Sequence, residues 1–230
     1  KHVIEEENQK GHSWIDYKQL LNRTTSLLDI SKKYIIEVLN NDIEGVVKIS
    51  GERFTTEYVY KCEKYIAEKI IEFNKNSKPF FEKEELDKML DEYCKENNVE
   101  LEENQRQFFY NWNENNVSLL IGNAGTGKTW LQKILLNFLD KKDCDVTLLS
   151  PTGKASKVQT EYTGKQAYTI HRRIKAIPSD EDEIRIGNTI ESDVVIVDES
   201  SMCDIFILSK LFKAIVNKNT KILFVGDDFQ

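Results

Sequence analysis

A run of glycines ending in a lysine and a hydroxyl, Gly122-Asn123-Ala124-Gly125-Thr126-Gly127-Lys128-Thr129, is the part of this sequence best equipped to hold phosphate. It has the GxxxxGK[ST] spacing of a phosphate-binding P-loop. Glycines let a loop wrap closely around an anion, so that backbone N–H groups point inward. A helix starting at the end of the loop adds its positive dipole end. Lys128 then supplies a point charge for β- and γ-phosphates, and the Thr129 hydroxyl is a ligand for Mg²⁺. ATP and Mg²⁺ are the expected cofactors.

Nucleoside triphosphate chemistry also needs acids, one to hold the metal and one to orient or deprotonate water. Val194-Val195-Ile196-Val197-Asp198-Glu199 is an apolar strand ending in two of them. Alone that pattern is weak; following a P-loop it is strong. Asp198 takes the metal side, through water, and Glu199 the water. Lys221-Ile222-Leu223-Phe224-Val225-Gly226-Asp227 is a further strand with a polar end, followed by Gln230. A neutral amide there can hydrogen-bond a γ-phosphate or its attacking water. Lys128, Glu199 and Gln230 are thus the catalytic candidates. A GTPase or small-molecule kinase is a competing P-loop class. The guanine-reading NKxD pattern is approached by Asn217-Lys218-Asn219-Thr220 but lacks its Asp.

The chain carries a net charge of −7, which argues against non-specific nucleic-acid binding by the molecule as a whole. Its distribution is uneven. Between Ser150 and Pro178 stand Lys154, Lys157, Lys165, Arg172, Arg173 and Lys175, against Glu161 as the sole acid. Such an island is a polyanion contact or a solvated face. Cys62, Cys94, Cys144 and Cys203 are widely spaced, as reduced cytosolic thiols are. No run is long and apolar enough to span a bilayer, and no signal-peptide pattern opens the chain, so a cytoplasmic location without membrane contact is expected.

These groups need a frame that presents them together. Val117–Ile121, Asp145–Leu149, Val194–Val197 and Ile222–Val225 read as continuous apolar strands, with a helix from Thr129 to Leu139 after the loop. Such strands separated by helices predict an α/β fold with a parallel sheet buried on both faces. Ligands on such sheets bind beyond the carboxyl ends of the strands, where every candidate above falls. The region before residue 100 is mostly helical by pattern. Asp16 caps one helix, Asp29 or Ser31 a second, and Tyr58 to Phe73 forms a third. Val46–Ile49 and Phe54–Thr56 form a hairpin between them. That order fits a small winged-helix-like module or a generic helical accessory domain equally. Loop-forming residues Asn74–Pro79 precede a helix from Glu82 to Lys95. The expected division is an accessory domain over 1–99 and a nucleotide-binding domain over 100–230.

The motifs together resemble the RecD-like helicases, the family of the exodeoxyribonuclease V alpha subunit, within superfamily 1. Gly122–Thr129 matches motif I. Ser150-Pro151-Thr152-Gly153-Lys154-Ala155-Ser156-Lys157 is similar to motif Ia, with Lys154 for the usual Arg and Ser156 for an Ala. Thr169-Ile170-His171-Arg172 matches the family's TIHR segment. Asp198-Glu199-Ser200-Ser201-Met202-Cys203-Asp204 is similar to motif II, and Gly226-Asp227-Asp228-Phe229-Gln230 to the start of motif III. Leu101 and Gln105, ahead of Phe108, resemble the Q motif. The resemblance covers 101–230 closely and the first hundred residues loosely.

That resemblance implies a RecA-like first motor domain of an ATP-dependent DNA helicase acting in recombination or repair. It implies 5′→3′ travel on single-stranded DNA, with recombination or repair subunits as further partners. It assigns adenine recognition to Gln105 and a DNA track to Thr152, Lys154, Thr169 and His171, whose hydroxyl and ammonium groups suit phosphate contacts. A second motor domain with its arginines is absent from these residues, so the chain by itself is expected to hydrolyse ATP poorly. An RNA helicase of the same superfamily, or a P-loop module that regulates a partner by binding ATP, are the alternative readings.

Overall fold

The computed structural model describes residues 1–50, 52–123, 125–177 and 184–227. The chain starts with α1 (His2–Gln9), β1 (Ile15–Asp16), α2 (Tyr17–Leu28), α3 (Lys32–Leu39), β2 (Val46–Ile49) and β3 (Arg53–Thr56). Asp16 ends β1 and caps α2, its carboxylate accepting the Gln19 N–H at 2.9 Å. Ser31 stands at the N-cap of α3, while Asp29 closes α2 with a left-handed φ of 50°. β3 pairs antiparallel with β1 and β2 on either side. Helix α1 and strand β1 are added here where sequence patterning showed no element. Val3, Ile4, Ile15, Leu20, Ile35, Leu39 and Phe54 form its core.

Three helices follow: α4 (Glu57–Lys75), α5 (Lys83–Asn97) and α6 (Glu103–Glu114). Thr56 caps α4 by accepting the Val59 N–H. Phe73 of α4 buries among residues of the second sheet, as do Leu86, Met89 and Leu90 of α5.

The rest of the described chain is an α/β layer structure. Its elements are β4 (Val117–Ile121), α7 (Lys128–Lys141), β5 (Val146–Ser150), α8 (Gly153–Thr163), β6 (Ala167–Thr169), α9 (Ile170–Ile174), β7 (Val194–Val197), α10 (Ile205–Ala214) and β8 (Lys221–Gly226). A 3-10 turn at Ser200–Met202 precedes α10. The five strands run parallel in the order β4-β8-β7-β5-β6. Residues of β7 are fully buried on both faces: Val194 and Ile196 belong to a core shared with α5, α6 and α7, whereas Val195 and Val197 belong to one shared with α4, α9 and α10. Burying each such side chain contributes about 1.5–3 kcal/mol. This two-sided burial is why the strands read as unbroken apolar runs.

One cation lies inside this core. Lys221, 1% exposed, donates to the carbonyls of Asn113 at 2.8 Å and Asn115 at 3.1 Å, at the C-terminal end of α6. The ammonium satisfies carbonyls that a helix end leaves unpaired and complements its dipole. Burial pulls its pKa down to about 8, with Glu114 opposing.

Candidate functional site

All five strands of the parallel sheet end on the same edge, because they share one direction. Read along it, β4 delivers the glycine loop, β8 delivers Asp227, β7 delivers Asp198 and Glu199, β5 delivers Thr152 and Lys154, and β6 delivers Thr169 and His171. Neighbouring strands lie about 4.8 Å apart, so the first and last strands of the series are roughly 19 Å apart.

The glycines of the loop have separate physical causes. A Cβ on Gly122 would lie 2.6 Å from the Thr126 hydroxyl oxygen, close enough that the Thr126 side chain would have to shift. Gly125 and Gly127 have φ of 82° and 86°, in the left-handed region that glycine occupies without strain. Gly127 then caps α7 at its N-terminus, and Lys128 and Thr129 open the helix. The Lys128 ammonium donates to the carbonyl of Gly122 at 2.6 Å and of Asn123 at 2.9 Å, and pairs with the Asp227 carboxylate. The Thr126 hydroxyl donates to the Asn123 carbonyl at 2.8 Å, closing the turn. Ala124 and Gln230 lie outside the described residues.

At the end of β7 the Asp198 carboxylate is held at both oxygens. Oδ1 accepts the Glu199 backbone N–H at 3.0 Å, and Oδ2 accepts the Tyr162 hydroxyl at 2.8 Å. Glu199 is in the left-handed region at φ 52°, a conformation that side-chain-bearing residues adopt at a cost and that clusters at functional sites. Burial, then the nearby Asp198 and Asp227 carboxylates, raise the Glu199 pKa above the ordinary carboxyl value; Lys128 opposes them. A carboxylate raised this way is better matched to accepting a proton near neutral pH.

Gln105 sits on α6 with its side chain beside the loop. Its Nε2 is 3.7 Å from where a Cβ on Gly127 would stand. Its Oε1 accepts the Glu102 N–H at 3.0 Å, completing a capping box that starts α6. The structure therefore brings Gln105 to the P-loop and gives it a helix-starting duty as well.

The four basic-side candidates occupy neighbouring strand ends. Thr152 caps α8, accepting the Ala155 N–H at 3.2 Å, and Thr169 caps α9, accepting the Arg172 N–H at 3.2 Å. Each hydroxyl retains its own proton for an outside acceptor. Lys154 and His171 are exposed, as is Arg172. Gly153, Lys157, Tyr168, Thr169 and Arg172 line an open cavity of about 450 Å³ between α8 and β6.

Nucleotide and metal fit these residues. The loop has a glycine position that any Cβ would fill, a lysine already drawn onto oxygen atoms, and a helix N-terminus facing it. Thr129 and Asp198 carry side-chain oxygens, the donor type that Mg²⁺ prefers. Sequence patterning missed Tyr162, which bonds Asp198, Gln132, which bonds Tyr162, and the Lys128–Asp227 pair. The available signal was Gln132: a carboxamide on a helix face otherwise made of Leu131, Ile134, Leu135 and Phe138.

Among described residues, no helix is long and apolar enough to cross a membrane. A family model described as an AAA domain matches residues 105–230. The RecBCD enzyme subunit RecD of Buchnera aphidicola is 33% identical over 137 residues, covering 50% of this chain and 23% of the relative. The ATP-dependent RecD2 DNA helicase of Deinococcus radiodurans is 35% identical over 113 residues, covering 49% and 15%. An uncharacterised protein of Methanocaldococcus jannaschii is 28% identical over 239 residues, covering 92% and 20%. The chain thus spans between 15% and 23% of the length of these relatives.

Proposed function

The chain belongs to the AAA domain family through residues 105–230 and is a RecD-like superfamily 1 helicase region; from that premise we propose that it is an ATP-binding motor lobe of a DNA helicase that travels on single-stranded DNA. The observation that carries this reading is the order of strand ends. A phosphate loop at β4, an acid pair at β7 and a basic surface at β5 and β6 share one edge, so nucleotide and polyanion can act on the same rigid sheet.

In this reading the loop from Gly122 to Thr129, including Ala124, wraps the phosphates, and Lys128 transfers from Asp227 to phosphate oxygens. Gln105 recognises adenine. Thr129 and Asp198 would hold Mg²⁺, which when bound would supply positive charge to offset the charge of the phosphates. Glu199 holds the attacking water and takes its proton, with Gln230 at the γ-phosphate. Thr152, Lys154, Thr169 and His171 contact the sugar–phosphate backbone. Travel is 5′→3′, in cytoplasmic DNA recombination or repair, alongside other subunits of that machinery. The relative RecD is by its name a subunit of the RecBCD enzyme.

We also propose an accessory part before residue 100 and a motor part from 100 to 230, with α4 and α5 bracing the motor. The burial of Phe73, Leu86 and Leu90 among motor residues supports that role for the two helices.

Calorimetry of Mg-ATP with wild type and Lys128→Ala tests the nucleotide half, and fluorescence anisotropy of a labelled single strand tests the other. Wild type should bind both, and Lys128→Ala should lose nucleotide affinity, since a charge-assisted contact contributes about 1.5–3 kcal/mol. Equal affinities for Mg-ATP, or no strand binding at low salt, would remove the corresponding half.

A further inference from the structure

Tyr162 has no part in the proposed reaction, yet it reaches the centre of the site. It stands in the last turn of α8, the helix that Thr152 caps and on which Lys154 lies. Its hydroxyl is 2.8 Å from Asp198 Oδ2 and in hydrogen-bond contact with the Gln132 carboxamide of α7. The Lys133 ammonium, also on α7, lies 5.9 Å from the centre of its ring. One phenol therefore touches the helix that follows the P-loop, the helix that follows β5, and the acid at the end of β7.

The direction of these hydrogen bonds follows from counting protons. A phenol has one proton to give. The Asp198 carboxylate can only accept, so it takes that proton. Gln132 must then donate, which turns its Nε2 toward the hydroxyl. In the structure Gln132 Oε1 faces the hydroxyl and its Nε2 is buried with no partner among the described residues, so that two oxygens compete for one proton; turning the carboxamide over removes that competition. Orientation of a carboxamide is decided by such a network. The result is a directed chain, Gln132 to Tyr162 to Asp198. A phenol buried only for packing would need one partner of any kind. Here it fixes an oxygen whose twin is already held by the Glu199 N–H.

We propose that Tyr162 is a positioning residue for Asp198, holding its carboxylate in the orientation that receives Mg²⁺, with Gln132 orienting Tyr162 in turn. The inference rests on the reading of Asp198 as the metal-side acid. Groups behind metal ligands set ligand orientation, and losing one costs about 10–100-fold in metal affinity where it ligates directly.

The test is isothermal titration of a non-hydrolysable ATP analogue into wild type and Tyr162→Phe, each with Mg²⁺ and with EDTA, after thermal melts confirm folding. Wild type should bind more tightly with Mg²⁺. Tyr162→Phe should match wild type in EDTA and lose about tenfold of the Mg²⁺ enhancement, the size of one hydrogen bond to a charged group. Should Tyr162→Phe lose its folding transition, Gln132→Met decides by the same readout, with a smaller loss expected. An equal Mg²⁺ enhancement in wild type and variant overturns the proposal. So does an equal loss with Mg²⁺ and with EDTA, which marks a merely structural tyrosine. Absence of any enhancement in wild type instead overturns the metal reading of Asp198, and the positioning role with it.

Discussion

Asp227, at the end of β8, holds the ammonium of Lys128, which opens α7 on the far side of the glycine loop. The two residues are 99 positions apart, and both are largely shielded, at 17% and 15% exposure. The carboxylate thus occupies the lysine that a phosphate would take. Removing its charge should free Lys128 and relieve repulsion of the incoming anion. We expect Asp227→Asn to bind Mg-ATP more tightly than wild type, by roughly three- to tenfold, with a larger gain for ATP than for ADP. Titration calorimetry checks this; weaker or unchanged binding would show that Asp227 does not compete for Lys128.

Gln105 has two duties that one substitution can separate. Its Nε2 borders the loop at Gly127, and its Oε1 closes the capping box of α6. Gln105→Ala should narrow the preference for ATP over GTP and lower stability by about 0.5–2 kcal/mol through the lost cap. Gln105→Glu keeps an acceptor for the cap but loses the donor beside Gly127. Retained adenine preference in both variants, measured by competition binding, would assign Gln105 to helix capping alone.

Lys154 gives the strand-binding surface a salt signature. Single-strand affinity should fall as salt rises, with a slope of about −0.7 per phosphate neutralised. Lys154→Ala should reduce the magnitude of that slope by about one such contact. Anisotropy titrations at four or more salt concentrations give the slope directly, and parallel lines for wild type and variant would take Lys154 out of the interface.

The buried Lys221 predicts how stability responds to alkali. Its folded pKa is near 8, below its ordinary value of 10.5. Between those values the unfolded chain binds the proton that the folded chain has released, so this lysine makes stability rise with pH. Cys203 acts in the opposite sense above its ordinary value of 9, because burial and Asp204 push the folded thiol up to about 12. Comparison with Lys221→Met isolates the lysine. Urea unfolding at pH 7.5 and 9.5 should show wild type gaining stability relative to the variant. An unchanged difference would mean that Lys221 keeps an ordinary pKa in the fold.

Local chemistry was legible in the residues themselves. The glycine loop is a contiguous stretch with the spacing of a phosphate-binding loop. The acid pair stands directly after four apolar residues, and fully buried strands need no long-range knowledge to be recognised as apolar runs. Asp16, Thr56, Thr152, Thr169 and Asp204 each cap a helix that follows immediately. A cap bonds a neighbour within three residues, so its cause is in the local sequence. The hairpin at Val46–Thr56 is local in the same way.

Tertiary structure decided which of these pieces meet. Strand order is invisible locally, because Leu119 pairs with Phe224 and Leu149 with Val197 across long intervening segments. That order sets β8 and its Asp227 between the P-loop strand and the acid-bearing β7, and joins β5 to β6 at the basic end. It also turns Tyr162, unremarkable in an amphipathic helix, toward Asp198, and puts Lys221 under the end of α6. Phe73 and Leu86 could have served either core by their pattern; packing assigned them to the parallel sheet. Apolar burial is non-directional and tells a residue to be inside without telling it against what. Partners are fixed by the shape and connectivity of the whole chain, which no single stretch of sequence carries.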